Sequence, residues 1–171
     1  MPYDDEDTLA RLKQMEGKKM TQPLFPDLKL LFNPRTIALL GASTEQAKIG
    51  ARPLVYSLKH GNKAKVYAIN PKAGKEIMGF PCFPSIEAVP ESIDLAIIAL
   101  PARMVIDGIK QCVKLKIPFG IVYGSGFGEM GEDGKRLQRE MVETARQGGM
   151  RLIGPNCQGV INLHPEMIAS F

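Results

Sequence analysis

Five short stretches of the chain concentrate glycine, serine, proline and asparagine directly after apolar runs. They are G-A-S-T-E-Q-A-K-I-G at 41–50, N-P-K-A-G at 70–74, L-P-A-R at 100–103, G-S-G-F-G-E-M-G at 124–131 and G-P-N-C-Q-G at 154–159. Small residues in such places let backbone N–H groups approach a ligand, and an unpaired N–H at a helix start attracts an anion. The chemistry they suit is binding a phosphate group. In the first stretch, Gly41 and Ala42 offer backbone N–H groups and Ser43 and Thr44 offer hydroxyls. The stretch departs from the dinucleotide fingerprint, because Ser43 stands at the second glycine position and Gln46 at the third. A merely tight strand-to-helix turn is the competing reading.

The second stretch discriminates among nucleotides. A protein that binds NAD needs a carboxylate here for the ribose hydroxyls. This chain instead has Asn70, Pro71 and Lys72, with Lys75 just beyond. A cation in place of a carboxylate suits a ribose that carries a phosphate, as NADP and coenzyme A do; a solvated surface lysine is the alternative. In the fourth stretch Ser125 and Gly126 permit close approach, while Phe127 either covers a ligand or plugs the core beneath the loop. Glu129 reads as a helix N-terminal charge or surface group before it reads as a base. In the fifth stretch Asn156 is a turn former or ligand contact, and Cys157 reads as a structural thiol. His60 and His164 share no spacing with a carboxylate or cysteine that would make a dyad or metal set.

Positioning these stretches requires a particular frame. Apolar, β-branched runs at 36–41, 65–70, 94–101, 118–123 and 150–154 read as strands covered on both faces. Helical spacing separates them: 49–60 with Pro53 in its first turn, then Val105, Ile106, Ile109, Cys112 and Val113 on one face. A third helix carries Leu137, Met141, Val142 and Ala145 and ends at Gly148-Gly149. The proline-rich stretch 71–92 predicts an irregular crossover with one short helical turn. The pattern is α/β: a Rossmann-like, doubly wound parallel sheet of about five strands in a single domain. The expected strand order is 3-2-1-4-5, with the switch point beside the first strand. Residues 28–171 form the domain on this reading and 1–27 an N-terminal extension. Within the extension, Leu9, Leu12, Met15 and Met20 suggest a short amphipathic helix or a partly ordered tail.

The bulk composition narrows the function. A net charge of +4 over 171 residues suits a small anionic ligand but is too dispersed for nucleic acid. Three scattered cysteines make neither a disulfide framework nor a zinc site. The acidic N-terminus lacks the apolar core of a signal peptide, and the longest apolar run is too short to span a bilayer. A cytoplasmic protein without nucleic-acid or membrane partners is expected.

Taken in order, LFNPRTIALLGAS…IG, INPK, IDLAIIALPA, SGFGE and RLIGPNCQGVIN resemble the CoA-binding domain of nucleoside-diphosphate-forming acyl-CoA synthetases. That family includes the ADP-forming acetate–CoA ligases, and the domain is similar to the N-terminal half of the succinyl-CoA synthetase alpha subunit. The resemblance covers about residues 28–171. It implies that coenzyme A lies across Gly41, Ala42 and Ser43, then Asn70, Pro71 and Lys72, the Leu100-Pro101 turn, and Ser125, Gly126 and Phe127. It also implies partner domains or subunits that are absent from this chain, one of ATP-grasp type and one bearing a phosphohistidine. His164 does not fit the phosphohistidine context. The isolated chain is therefore expected to bind coenzyme A without turning it over. A free-standing CoA- or nucleotide-binding regulatory module, and an NADP-linked oxidoreductase domain, are the rival functions.

Overall fold

The computed structural model describes residues 26–164 and 166–170, so the reading of 1–23 as a helix or tail lies outside the described residues. The five expected strands are present. β1 (Thr36–Leu40), β2 (Lys65–Ile69), β5 (Leu95–Ile98), β6 (Phe119–Val122) and β7 (Arg151–Ile153) run parallel. Every residue of β1, β5 and β6 is buried, as their uninterrupted apolar sequences require when helices cover both faces.

Two more strands complete this sheet. β3 (Glu76–Ile77) and β4 (Phe80–Phe83) arise from the proline-rich stretch that reads as irregular, and β4 pairs in parallel with β2. Met78 and Gly79 form the two-residue turn between them, both at positive φ, as a twisted hairpin demands. Pro81 within β4, Pro84 just after it and the two-residue length of β3 hide them from a periodicity reading.

The sheet order is β3-β4-β2-β1-β5-β6-β7. This corrects the expected 3-2-1-4-5 order. The strand at 94–101 was expected outside the second strand, but β5 lies against β1, registering Ile37 with Leu95 and Leu40 with Ile98. The outer place belongs to β4. The switch point beside β1 is nevertheless as expected, because the chain fills one side of β1 before crossing to the other. A separate antiparallel hairpin of β8 (Gly159–Asn162) and β9 (Met167–Ser170) follows the sheet. His164 lies between these two strands.

The helices are α1 (Lys29–Phe32), α2 (Arg52–His60), α3 (Ala102–Lys114) and α4 (Glu132–Gln147). A 3₁₀ turn at Ile49–Ala51 leads into α2, and Pro53 occupies its first turn, where a missing N–H costs nothing. Alternate strand residues point to opposite faces and form two cores. Ala38, Leu40, Ala96 and Ile98 pack with Val105 and Ile109 of α3 and Met141 and Ala145 of α4. Ile37, Leu39, Leu95 and Ile97 pack with Leu31 of α1, Leu54 of α2 and Met167 and Ala169 of β9.

At the amino ends of β1 and β5, Asp94 locks the frame. Its side chain is 5 % exposed and accepts from the Arg35 backbone amide at 2.8 Å and from the guanidinium at 2.8 and 2.9 Å. Those hydrogen bonds hold its carboxyl below the usual carboxylate range, against the opposing effect of burial. The opposite edge of the sheet is left to the loops.

Candidate functional site

All the parallel strands point their carboxyl ends to one edge, and the loops that follow them meet there. Between β1 and its two neighbours they enclose an open cleft of about 620 Å³. That is within the roughly 300–1,000 Å³ common for small-molecule sites, and its position is the crevice where open α/β sheets bind ligands. Gly41, Ala42 and Ser43 line it after β1, Asn70, Pro71 and Lys72 after β2, and Leu100 and Pro101 after β5. The structure thus brings together eight of the residues singled out in the sequence.

Internal hydrogen bonds hold the first loop in shape. The N–H groups of Gly41 and Ala42 donate to the Ile69 carbonyl at 3.2 and 3.3 Å, and that of Ser43 donates to Gly50 at 3.2 Å. Ser43 Oγ accepts from the Glu45 amide at 3.1 Å. Lys48, in the same loop, lines the cleft and is ion-paired with Glu45. Lys48 and Lys72 are the lysines on the cleft wall, which Asp107 of α3 also lines. The helical segment expected over 49–60 is present, its first turn 3₁₀ (Ile49–Ala51) and the rest α2, so several residues of loop separate Ser43 from the helix start.

Asn70 is engaged on every side. Its N–H donates to the Phe83 carbonyl of β4 at 3.0 Å, and its side-chain amide donates to the Ala42 carbonyl at 2.9 Å. Its side-chain oxygen accepts from the Lys72 amide at 2.8 Å.

The remaining expected contacts are not part of the cleft lining. Thr44 is exposed. Ser125 is exposed, and Gly126 lies near Ala102, where a Cβ would stand 3.0 Å from that side chain. Asn156 sits at φ 53 and its amide donates to the Gly124 carbonyl at 3.0 Å, tying the fifth loop to the fourth. The two open readings of Phe127 resolve toward the core: its ring is fully buried in the cluster that includes Met141. A ring laid over a ligand is not what this loop presents.

Other chemical groups are accounted for by local contacts. Glu129 accepts from the Gly126 amide, and backbone N–H groups hold its carboxyl below the usual range. It braces its own loop. Burial raises the Cys157 thiol, which donates to the Val122 carbonyl at 3.5 Å, and pushes Cys112 up to about 12. His60 stacks edge-on with Tyr56 at the end of α2, and the His164 amide donates to Asn162. Among the described residues no group of acidic, histidine and cysteine side chains could hold a metal ion.

The sequence reading missed Lys48, Pro84, Ser85, Met104, Asp107 and Gln111, which also line the cleft. Lys48 lies within a stretch already identified. Pro84 and Ser85 enter only because β4 pairs with β2, and the α3 residues only because β5 adjoins β1.

Residues 35–162, most of the chain, match the family described as CoA binding domain. The chain is 41 % identical over 144 residues to an ADP-forming acetate–CoA ligase of Archaeoglobus fulgidus, covering 84 % of this chain and 21 % of that protein. It is 37 % identical over 147 residues to the alpha subunit of an ADP-forming acetate–CoA ligase of Pyrococcus furiosus, covering 84 % of this chain and 32 % of that one. The crystal structure of PH0766 from Pyrococcus horikoshii superposes with a TM-score of 0.79 at 41 % identity, over 84 % of this chain and 33 % of that chain. A dinucleotide-forming acetyl-coenzyme A synthetase of Ca. Korarchaeum cryptofilum, in complex with phosphate and ADP, gives 0.73 at 43 % identity, over 78 % and 28 %. The chain therefore spans between about a fifth and a third of the length of these relatives. No helix among the described residues is long and apolar enough to cross a membrane. Fold, cleft and similarity converge: this chain belongs to the CoA-binding domain family represented in ADP-forming acetate–CoA ligases.

Proposed function

We propose that the cleft above β1 is the coenzyme A site. On this reading residues 28–171 hold the cofactor for thioester formation by an ADP-forming acid–CoA ligase in the cytoplasm. The observation that carries it is the convergence of Gly41, Ala42 and Ser43 with Asn70, Pro71 and Lys72 and with Leu100 and Pro101 around one crevice. Lysines 48 and 72 give this crevice the charge to receive the pyrophosphate and the 3′-phosphate, and no carboxylate stands at the end of β2 to take free ribose hydroxyls. On this reading the fourth and fifth loops, with Ser125, Gly126 and Asn156, complete the site, Phe127 braces its loop from the core, and Thr44 adds a hydroxyl. ATP-grasp and phosphohistidine-bearing domains or subunits supply the remaining chemistry.

Calorimetry with coenzyme A, dephospho-CoA, NADP and NAD tests the ligand. Coenzyme A should bind tightest, and loss of the 3′-phosphate should cost about 1.5–3 kcal/mol, the value of one charge-assisted contact. Tighter binding of NAD than of coenzyme A would overturn the assignment. The 171-residue chain alone should give no turnover of acetate, ATP and coenzyme A above a heat-treated control.

A further inference from the structure

Resting on that reading of the cleft, we propose that Asn70 is a positioning residue for 3′-phosphate selectivity. It acts through Lys72 and the first loop without itself contacting the ligand.

The geometry is specific. Asn70 is half-buried, and both polar atoms of its side chain have intramolecular partners. The donation to Ala42 joins the loop after β1 to the loop after β2. The acceptance from the Lys72 amide folds the chain back over Pro71 and fixes where the Lys72 side chain departs. The Asn70 backbone is held as well, by Phe83 on one side and by the Ala73 amide at 3.4 Å on the other. One carboxamide therefore sets the relation between the first loop, which walls the cleft with Gly41, Ala42 and Ser43, and the cation of the second. Ala42 is 2 % exposed, so its carbonyl would be left in a poorly solvated place without this donor.

A group that acts through another betrays itself by non-additivity. The experiment measures affinity for coenzyme A and for dephospho-CoA on the wild type, Asn70→Ala, Asn70→Ser, Lys72→Ala and the Asn70→Ala/Lys72→Ala double variant. Thermal melts on each confirm folding. The wild type should prefer coenzyme A about tenfold or more. Asn70→Ala should bring that preference close to the Lys72→Ala value, and the double variant should fall no further. Asn70→Ser, whose hydroxyl still accepts from the amide two residues on, should keep part of the preference and serves if Asn70→Ala does not fold. A purely structural role would lower the melting temperature and weaken both ligands equally. If folded Asn70→Ala or Asn70→Ser retains the full wild-type preference, or the double variant loses the sum of both singles, the positioning role is wrong. A wild type that shows no preference overturns the reading of the cleft itself, and this inference with it.

Discussion

Gly50 lies so close to Gly41 that a Cβ on Gly50 would overlap the Gly41 carbonyl oxygen. The two ends of the first loop are thus closed on each other, and Ser43 donates across the same junction. Gly41 is also at φ 81, with room for a Cβ denied by the Ala99 carbonyl at 2.5 Å. Its glycine is demanded by the frame of the loop whatever the loop binds.

Substitution at this pair should therefore act first on stability. Gly41→Val and Gly50→Ala should each lower the melting temperature, because backbone atoms, unlike a flexible side chain, cannot move aside. Ser43→Ala removes an acceptor for Glu45 and a hydroxyl from the cleft wall, and should cost about 0.5–1.5 kcal/mol in coenzyme A affinity. Calorimetry and melts on the same three proteins separate the effects. A Gly41→Val protein as stable as wild type would contradict this account.

Phe127 fills the core beneath the fourth loop, so Phe127→Ala should destabilise by about 3–5 kcal/mol. Phe127→Leu should cost far less, since it keeps most of the buried volume. Chemical denaturation gives both values. Coenzyme A affinity of the folded Leu variant should match wild type; a large loss of affinity without loss of stability would place the ring on the ligand instead.

Asp94 makes stability depend on pH in a defined direction. Its folded carboxyl lies below the ordinary range, so it stabilises the fold fully above the unfolded carboxylate value of about 4. That contribution is lost as pH falls through the depressed folded value. Asp94→Asn should destabilise by about 1–3 kcal/mol at neutral pH. The gap between the two proteins should narrow in acid. Urea melts from pH 7 down to pH 3 measure it, and a gap that widens in acid contradicts the assignment.

The cysteines should be poor nucleophiles. With Cys112 pushed up to about 12 and Cys157 also raised by burial, the thiolate fraction near neutral pH is small. Mass spectrometry after iodoacetamide treatment of the native protein should show Cys112 unmodified and Cys157 slower than a free thiol. Cys157→Ala should keep coenzyme A affinity. Fast, selective alkylation of Cys157 would revive it as a reactive group.

Much of this protein is legible locally. The runs TIALL, KVYAI, LAII and FGIV are too continuously apolar to be half-exposed strands, so a doubly covered parallel sheet follows from burial alone. The cleft residues 41–43, 70–72 and 100–101 follow from the same fact, because the loops after parallel strands share one edge. What the sequence alone could not decide is which strand sits beside which. Pairing is set by non-local hydrogen bonds between chain segments, and β4, carrying Pro81 between Phe80 and Cys82, has no periodic signature to announce that it takes the place beside β2. That one pairing moved β5 to β1, brought Pro84, Ser85 and the α3 residues to the cleft, and gave Asn70 a partner in Phe83. The setting of each side chain at the site was likewise tertiary: packing buries the Phe127 ring in the core, and hydrogen-bond geometry makes Asn70, which also lines the cleft, a brace between loops.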